Sequence, residues 1–395
     1  MEVLLAFLRL GCLSFGGPIA HLGYFRTEFV ERRGWVSDES FAEIVALTQS
    51  LPGPASSQTG YALGFIRAGW TGGVAAWLGF TLPSALLMLA FAFGHRAFDG
   101  RIGQAILHGL QLAAVAVVGQ AVVAMQGRLA PDPLRLALAL TAVAIALFAP
   151  VVLGSFLAIV FGAGAGLVLL RRDDEKKAGN EQAGHETEIC FSKRAGALAA
   201  CAFLLLLAVA LTPHGGSPTG WSVFAAFSRA GSLVFGGGHV VLPLLEEVTV
   251  ARGWISQQSF LSGYGAAQAL PGPLFSFAAY LGAAVKPNPH PLLLGMCALV
   301  AIFLPGLLLI TAVLPFWSSV RRRASVRAAI RGIHASVAGV LIAALYSPVW
   351  SSTVHTGSDF WIVITAFALL TVWKTQPLLV VLGACVVCWL RVALV

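Results

Sequence analysis

Apolar residues run along this chain in long blocks, not in the narrow stripe of a soluble amphipathic helix. Such blocks cover 70–94, 105–125, 133–149 and 151–170, and again 290–316, 327–348, 358–373 and 377–395. A helix needs about 20 apolar residues to cross a bilayer core, so each block predicts a membrane span. A further run, 195–212, stands alone between the two sets. Before it lies the only long polar stretch, 171–194, from Arg171-Arg-Asp-Asp-Glu-Lys-Lys to Ser192-Lys193-Arg194, which reads as a solvated linker. The leading part of each set is different. Residues 1–33 carry Gly16-Gly17-Pro18 in mid-run, and residues 39–67 carry Pro52-Gly53-Pro54. Their later counterparts are Gly236-Gly237-Gly238 and Pro271-Gly272-Pro273. A proline inside a helix deletes a backbone donor and clashes with the preceding turn, yet it is well placed to start a new helix. Two broken helical elements are therefore expected in each half.

Composition narrows the class. The 395 residues are 58% hydrophobic and 11% charged, with a mean hydropathy of +0.84. Soluble domains carry about 25% charged residues, so a water-soluble globule and a disordered chain are both excluded. The expected fold class is an all-α polytopic membrane protein. The net charge of +8 fits basic cytoplasmic loops and favours an anionic partner. Six cysteines supply neither a disulfide framework nor zinc spacing. Cys385-Val-Val-Cys388 lies in the last apolar run, outside the strand–helix context of a redox motif. Arg9 interrupts the N-terminal apolar run and no small-residue cleavage site follows, so no cleavable signal is expected. GxSxG in context, HExxH and P-loop motifs are all missing, which argues against an enzyme. No cofactor, metal or nucleic acid is expected, and energy would come from an ion or solute gradient.

The chain repeats itself. Phe7-Leu-Arg9-Leu-Gly11-Cys-Leu13-Ser-Phe15-Gly16-Gly17 returns 220 positions later as Phe227-Ser-Arg229-Ala-Gly231-Ser-Leu233-Val-Phe235-Gly236-Gly237, with seven of eleven residues identical. Gly34-Trp35-Val-Ser37 returns as Gly253-Trp254-Ile-Ser256, and Gln49-Ser-Leu-Pro52-Gly53-Pro54 as Gln268-Ala-Leu-Pro271-Gly272-Pro273. Leu82-Pro83 answers Leu304-Pro305, and Gly109 answers Gly332. This divides the chain into a first repeat (1–170), a charged cytoplasmic linker (171–194), a connecting span (195–212) and a second repeat (221–395). Placing basic loops inside puts 95–101 outside but its counterpart 317–331 inside, so the extra span inverts the second half. Residues between Trp221 and Lys286 must then cross an even number of times. Inverted repeats with broken helices mark secondary transporters.

Candidate chemistry gathers at the breaks. Unpaired backbone is tolerated in a membrane only where it is buried in protein or lines a wet cavity, and a fresh helix N-terminus offers N–H groups to an anion. Ser56, Ser57 and Gln58 follow the first Pro-Gly-Pro and Ser276 the second, while Gln49 and Gln268 precede them. The competing reading is that these breaks are packing kinks. Arg9 and Arg229 share one repeat position in apolar, glycine-rich surroundings. Each could grip an oxyanion with its planar fork, or snorkel, or pair with a carboxylate. Glu43, whose repeat partner is Ser262, is a proton-coupling candidate or a neutraliser of a nearby arginine. His21 and Arg26 could serve an anion entry path, whereas Glu31 to Arg33 read as an interfacial ion-paired helix. Glu246 and Glu247 take the equivalent place in half two, and Trp35 and Trp254 read as interfacial belt residues.

The stretches 7–26, Leu47-Thr-Gln-Ser-Leu-Pro-Gly-Pro54, Trp77-Leu-Gly-Phe-Thr-Leu-Pro-Ser84, Phe235-Gly-Gly-Gly-His-Val-Val-Leu-Pro-Leu-Leu245 and Gly263-Tyr-Gly-Ala-Ala-Gln-Ala-Leu-Pro-Gly-Pro-Leu-Phe275 closely resemble the motifs of the chromate ion transporter family in its long two-domain form. The resemblance implies efflux of chromate across the bacterial inner membrane, energised by membrane potential or proton gradient and giving resistance. It carries over to Arg9, Ser14, Gly16, Gly17, His21, Arg26, Gln49, Pro52, Gly53 and Pro54. In half two it reaches Gly236, Gly237, Gly238, Gln268, Pro271, Gly272 and Pro273. Sulfate has chromate's charge and shape, so a sulfate or other oxyanion carrier stays open. So do a homodimer and a non-transporting membrane assembly or regulatory protein.

Overall fold

The computed structural model describes residues 1–15, 17–94, 100–129, 132–149, 154–170, 193–212, 217–235, 241–316 and 323–393. They form sixteen α-helices with short 3₁₀ and π turns at some ends, and no strand occurs among the described residues. Half one contains α1 (Glu2–Leu13), α2 (Gly17–Phe25, prolonged as a π turn to Arg32), α3 (Asp38–Ser50), α4 (Ala55–Gly94), α5 (Arg101–Leu129), α6 (Pro133–Phe148) and α7 (Gly154–Leu169). The connecting helix is α8 (Lys193–Leu211). Half two contains α9 (Gly220–Leu233), α10 (Val241–Thr249), α11 (Gln257–Ala269), α12 (Phe277–Ala284), α13 (Pro291–Val313), α14 (Ala324–Ala344), α15 (Gly357–Thr371) and α16 (Pro377–Ala393). Among the described residues, five helices are long and apolar enough to cross a membrane: α4, α5, α8, α13 and α14. Large side chains such as Leu140, Leu205 and Trp361 stand exposed on the outside, as expected where the solvent is hydrocarbon.

Both expected breaks are present in each half, and the segments around them re-enter. Glu2, at the start of α1, pairs with Arg33, just past α2, at 3.5 Å. The same carboxylate pairs with Arg67 at 3.2 Å, where α4 breaks its helical angles at Ala68 and Gly69. Arg33 and Arg67 both lie 5.6 Å over the Trp35 ring, immediately before α3. The outer ends of α1, α2, α3 and the first arm of α4 therefore share one face. Two helical hairpins dip in from it and return. In half two, the Lys286 amide past α12 bonds the Trp254 carbonyl before α11 at 2.9 Å, so that hairpin returns too. Zero crossings between Trp221 and Lys286 meets the even-number requirement. The second arm of α4, α5 and α8 are three crossings between the two sets of hairpins, and the paired α6 and α7 add an even number. Three is odd, so the hairpins of the two halves enter from opposite faces.

The halves interlock by a pseudo-two-fold exchange. Helix α5 of half one packs against α15 and α16, while α14 of half two packs against α6 and α7. Helix α8 has no counterpart and lies on α9 and α13. Trp254 departs from the belt role expected of it. It is buried, with Arg252 5.3 Å over its ring, because α11 packs closely on α5 and carries its base inward. Helix α6 starts on a capping Asp132, whose carboxylate accepts the Arg135 amide at 2.8 Å. That bond holds the carboxyl below the usual aspartate range.

Candidate functional site

The hairpin tips meet at two matched crossings. The Gly53 amide donates to the Val234 carbonyl of half two at 2.7 Å, and the Gly272 amide donates to the Ser14 carbonyl of half one at 2.9 Å. Val234 and Ser14 are the residues on which α9 and α1 end. Each Pro-Gly-Pro loop thus caps the broken helix of the other repeat. Both glycines sit at positive φ, +119° and +93°, where a side chain is strained. A Cβ on Gly53 would come within 2.9 Å of the Gly306 Cα, and one on Gly272 within 3.0 Å of the Ser84 Oγ. Gly306 and Ser84 follow the repeated Leu-Pro pairs, so these close approaches are equivalent too.

Donors without protein partners surround both crossings. Ser14 is fully buried and its Oγ is unpartnered. Ser57 Oγ and Thr81 Oγ1 are likewise buried and unpartnered. Pro54 precedes α4, accepting the Gln58 amide at 2.9 Å, so the amides of Ala55, Ser56 and Ser57 are the ones a helix start leaves without intrahelical partners. Gln58 turns its Nε2 to the Pro52 carbonyl at 2.9 Å and the Gly306 carbonyl at 3.0 Å, tying the first tip to α13. The second tip is all protein-packed: Pro273 and Ser276 are buried, and Ser276 Oγ donates to the Pro273 carbonyl at 2.7 Å.

The remaining predicted residues fall around this centre. Gly17 starts α2 at positive φ. His21 is buried against Phe80, and its Nε2 lies 3.2 Å from the Ser14 carbonyl. A carbonyl only accepts, so Nε2 carries the proton and Nδ1, which has no partner, is the bare nitrogen. Arg26 lies at the outer face with Glu31 and Asp38, away from the tips. Gln49 is exposed at the inner end of α3, and Gln268 is half-buried beside Tyr264. Glu43 is half-buried on α3. Gly16, Gly236, Gly237 and Gly238 lie outside the described residues.

Both arginines stand one turn before a tip, each facing a carboxylate. Arg229 pairs with Glu247 at 3.2 Å, with Arg252 and Ser155 of α7 acting on the same carboxylate. Arg9 is exposed and acts on Glu28, which bonds Arg33 at 2.7 Å and Arg32 at 3.5 Å. Glu28 and Glu247 are separated by the 219 positions that relate Gly34 to Gly253. That offset was the signal by which the sequence could have matched them. Gln58, Thr81 and Ser84 were legible only as polar residues near the motifs.

The structure thus brings two broken helices, a helix start and unpartnered buried hydroxyls together at the hairpin tips. The chain belongs to the chromate transporter family, whose model matches residues 1–167 and 221–389, one stretch in each half. It is 27% identical over 387 residues to a probable chromate transport protein of Synechococcus elongatus, covering 96% of this chain and 92% of that one. It is 26% identical over 392 residues to a chromate transport protein of Cupriavidus metallidurans, covering 98% and 92%. A chromate transport protein of Pseudomonas aeruginosa is 29% identical over 341 residues, covering 85% and 77%. No solved structure is a significant match. The protein is a multi-pass membrane transporter.

Proposed function

We propose that this chain exports chromate from the cytoplasm across the bacterial inner membrane through one central site, conferring resistance. The observation that carries the reading is the exchange of Gly53 and Gly272 between the broken helices of two oppositely entering halves. It gathers helix starts, the Ser14, Ser56 and Ser57 hydroxyls and the reach of Arg9 and Arg229 about one centre. A tetrahedral dianion matches that donor set, since helix N-termini and arginine forks both suit oxyanions. The hairpins of half one and the basic residues 321–331 are assigned to the cytoplasmic face, which makes the linker cytoplasmic. A negative interior then drives a dianion outward with ~2.3 kcal/mol per charge per 100 mV; a proton gradient can add to this. Sulfate fits the same donors, so selectivity is part of the test.

Everted vesicles containing the full chain should accumulate chromate saturably, and Arg9→Ala and Arg229→Ala should each lower uptake at least tenfold. Competition by sulfate at equal concentration would widen the substrate to oxyanions generally. Unsaturable uptake, or none, would overturn the reading. Single cysteines at Arg101 and Ala324 should label from opposite sides of intact cells.

A further inference from the structure

The two inner hairpins are equivalent in sequence but differ in what covers them. Helix α11 lies along α5. Gln111 Nε2 donates to Ser262 Oγ at 2.9 Å and to the Gln258 carbonyl at 3.1 Å, and Gln258 reaches Gln104 at 3.3 Å. The Leu110 carbonyl packs on Gly265, and Leu261, Ser262 and Gly265 are all buried. The matching face of α3, 219 positions earlier, is Ala42, Glu43, Ala46 and Gln49. Ala42, Ala46 and Gln49 are exposed and Glu43 is half-buried. Its equivalent of α5 is α14, and α3 meets α14 at the inner end, where His334 bonds the Gln49 backbone. His334 stands 223 positions after Gln111, the offset that relates Gly109 to Gly332. The face of α11 is covered, and its counterpart on α3 is largely uncovered.

His334 Nε2 has no partner, so Nδ1 makes the bond to Gln49. A backbone carbonyl accepts, hence Nδ1 bears the hydrogen and Nε2 offers only a lone pair. We propose that on turnover α3 closes onto α14 as α11 now lies on α5, that this brings the Glu43 carboxylate to His334 Nε2, and that the closure takes up a proton. A carboxylate and a bare imidazole nitrogen are both acceptors and cannot bond to each other. A proton from water, added to the half-buried Glu43 carboxyl, forms the bridging bond to Nε2 and leaves again when the gate reopens. The Gln111–Ser262 pair of the opposite gate has its own N–H and needs none. Other charged groups on α3 and α14 include Glu39, Arg327, and Arg331, which donates to the Leu170 carbonyl at 3.0 Å; the elements packed on them carry Arg67 on α4, Arg26 to Arg32 in the π turn, Arg101 and His108 on α5, and Glu246 on α10. Asp132 on α6 is held by Arg135, and Glu247 on α10 by Arg229. Helix α7 carries no titratable side chain. The inference rests on reading the chain as an alternating carrier.

Two measurements on the full chain in everted vesicles test it. In a cysteine-free background, a short reducible bifunctional thiol reagent should bridge Glu43→Cys to His334→Cys, and Gln111→Cys to Ser262→Cys. The two bridges should never form in one molecule, and each should halt uptake until reduced. Formation of both at once, or failure of the first pair to bridge in vesicles that transport, overturns the proposal. His334→Gln and Glu43→Gln each supply an N–H donor. Either should therefore remove the component of uptake, up to about tenfold per pH unit, that wild type shows beyond chromate's own titration. A profile identical to wild type overturns the proton step. Wild-type vesicles that take up no chromate sink the transport reading itself, while the bridging result still decides whether two gate states exist.

Discussion

The first hairpins of the two halves carry the same three charges in different surroundings. In half one, Glu28 and Arg33 lie near the outer face, Arg32 adds a second partner for Glu28, and Arg9, five residues before the tip, is exposed. In half two, Arg229, Glu247 and Arg252 occupy the matching places. The Arg229 and Glu247 side chains are only 12% and 5% exposed. The difference traces to α8 and α7. Helix α8, which inverts the second repeat, also packs on α9, and Ser155 of α7 closes over Glu247. The equivalent arginines therefore differ: Arg229 holds Glu247 in a buried pair, whereas the buried Glu28 is paired by Arg33 and Arg32 and Arg9 stands exposed, acting on it only at longer range. Burial changes what removal costs: an exposed pair contributes about 0–1 kcal/mol, whereas stripping one partner from a buried pair costs about 3–5 kcal/mol.

Matched substitutions separate these cases. Arg229→Ala should destabilise the detergent-solubilised protein by about 3–5 kcal/mol, because the buried Glu247 loses its direct ion pair and keeps only Ser155 and the more distant Arg252. Arg9→Ala should cost about 0–1 kcal/mol while still lowering uptake. Equal losses of thermal stability would break the comparison, since the two arginines would then be equally engaged. The adjoining tips make the opposite claim of equivalence. Gly53→Ala and Gly272→Ala should cost similar amounts, about 1–3 kcal/mol each from a strained positive φ, with the close approaches adding more. A harmless change at either glycine would show that the exchanged hydrogen bonds differ between the halves.

Much of this architecture was legible because Pro, Gly and Trp keep their order across the duplication. Pro-Gly-Pro located the breaks, and the apolar blocks located α5 to α8 and α13 to α16 to within a few residues. Whether the broken segments cross or return was not legible. Arms of 12 or 13 residues are too short for hydropathy to orient, and the answer depends on Glu2 meeting both Arg33 and Arg67. At the site, Arg9 and Arg229 drew notice as charges in apolar runs. Their carboxylates lie 18 or 19 residues further on, beyond any local spacing rule. Trp254 was misjudged because tryptophan's interfacial preference yields to packing when an adjacent helix covers it. The asymmetry between α3 and α11 belongs to a conformation, which no single sequence encodes.

The smallest contrast concerns two helix starts in the same structural place. Helix α6 is capped by the Asp132 carboxylate, and α15 by the Thr356 hydroxyl, which accepts the Asp359 amide at 3.2 Å. The α15 start also has the Asp359 carboxylate accepting the Thr356 amide at 3.1 Å, but the N-cap side chain itself titrates only at α6. Asp132→Ala should cost about 1 kcal/mol at neutral pH, the usual worth of an N-cap, whereas Asp132→Asn should cost little because asparagine caps as well. The sign with pH follows from the depressed carboxyl. Its contribution is complete above the ordinary aspartate pKa and fades as pH falls through the lower folded value. Thermal unfolding of wild type and Asp132→Asn should therefore differ least at neutral pH and diverge in acid, where only the asparagine still caps fully. Parallel curves down to strong acid would mean that the Asp132 carboxylate adds nothing beyond a neutral cap.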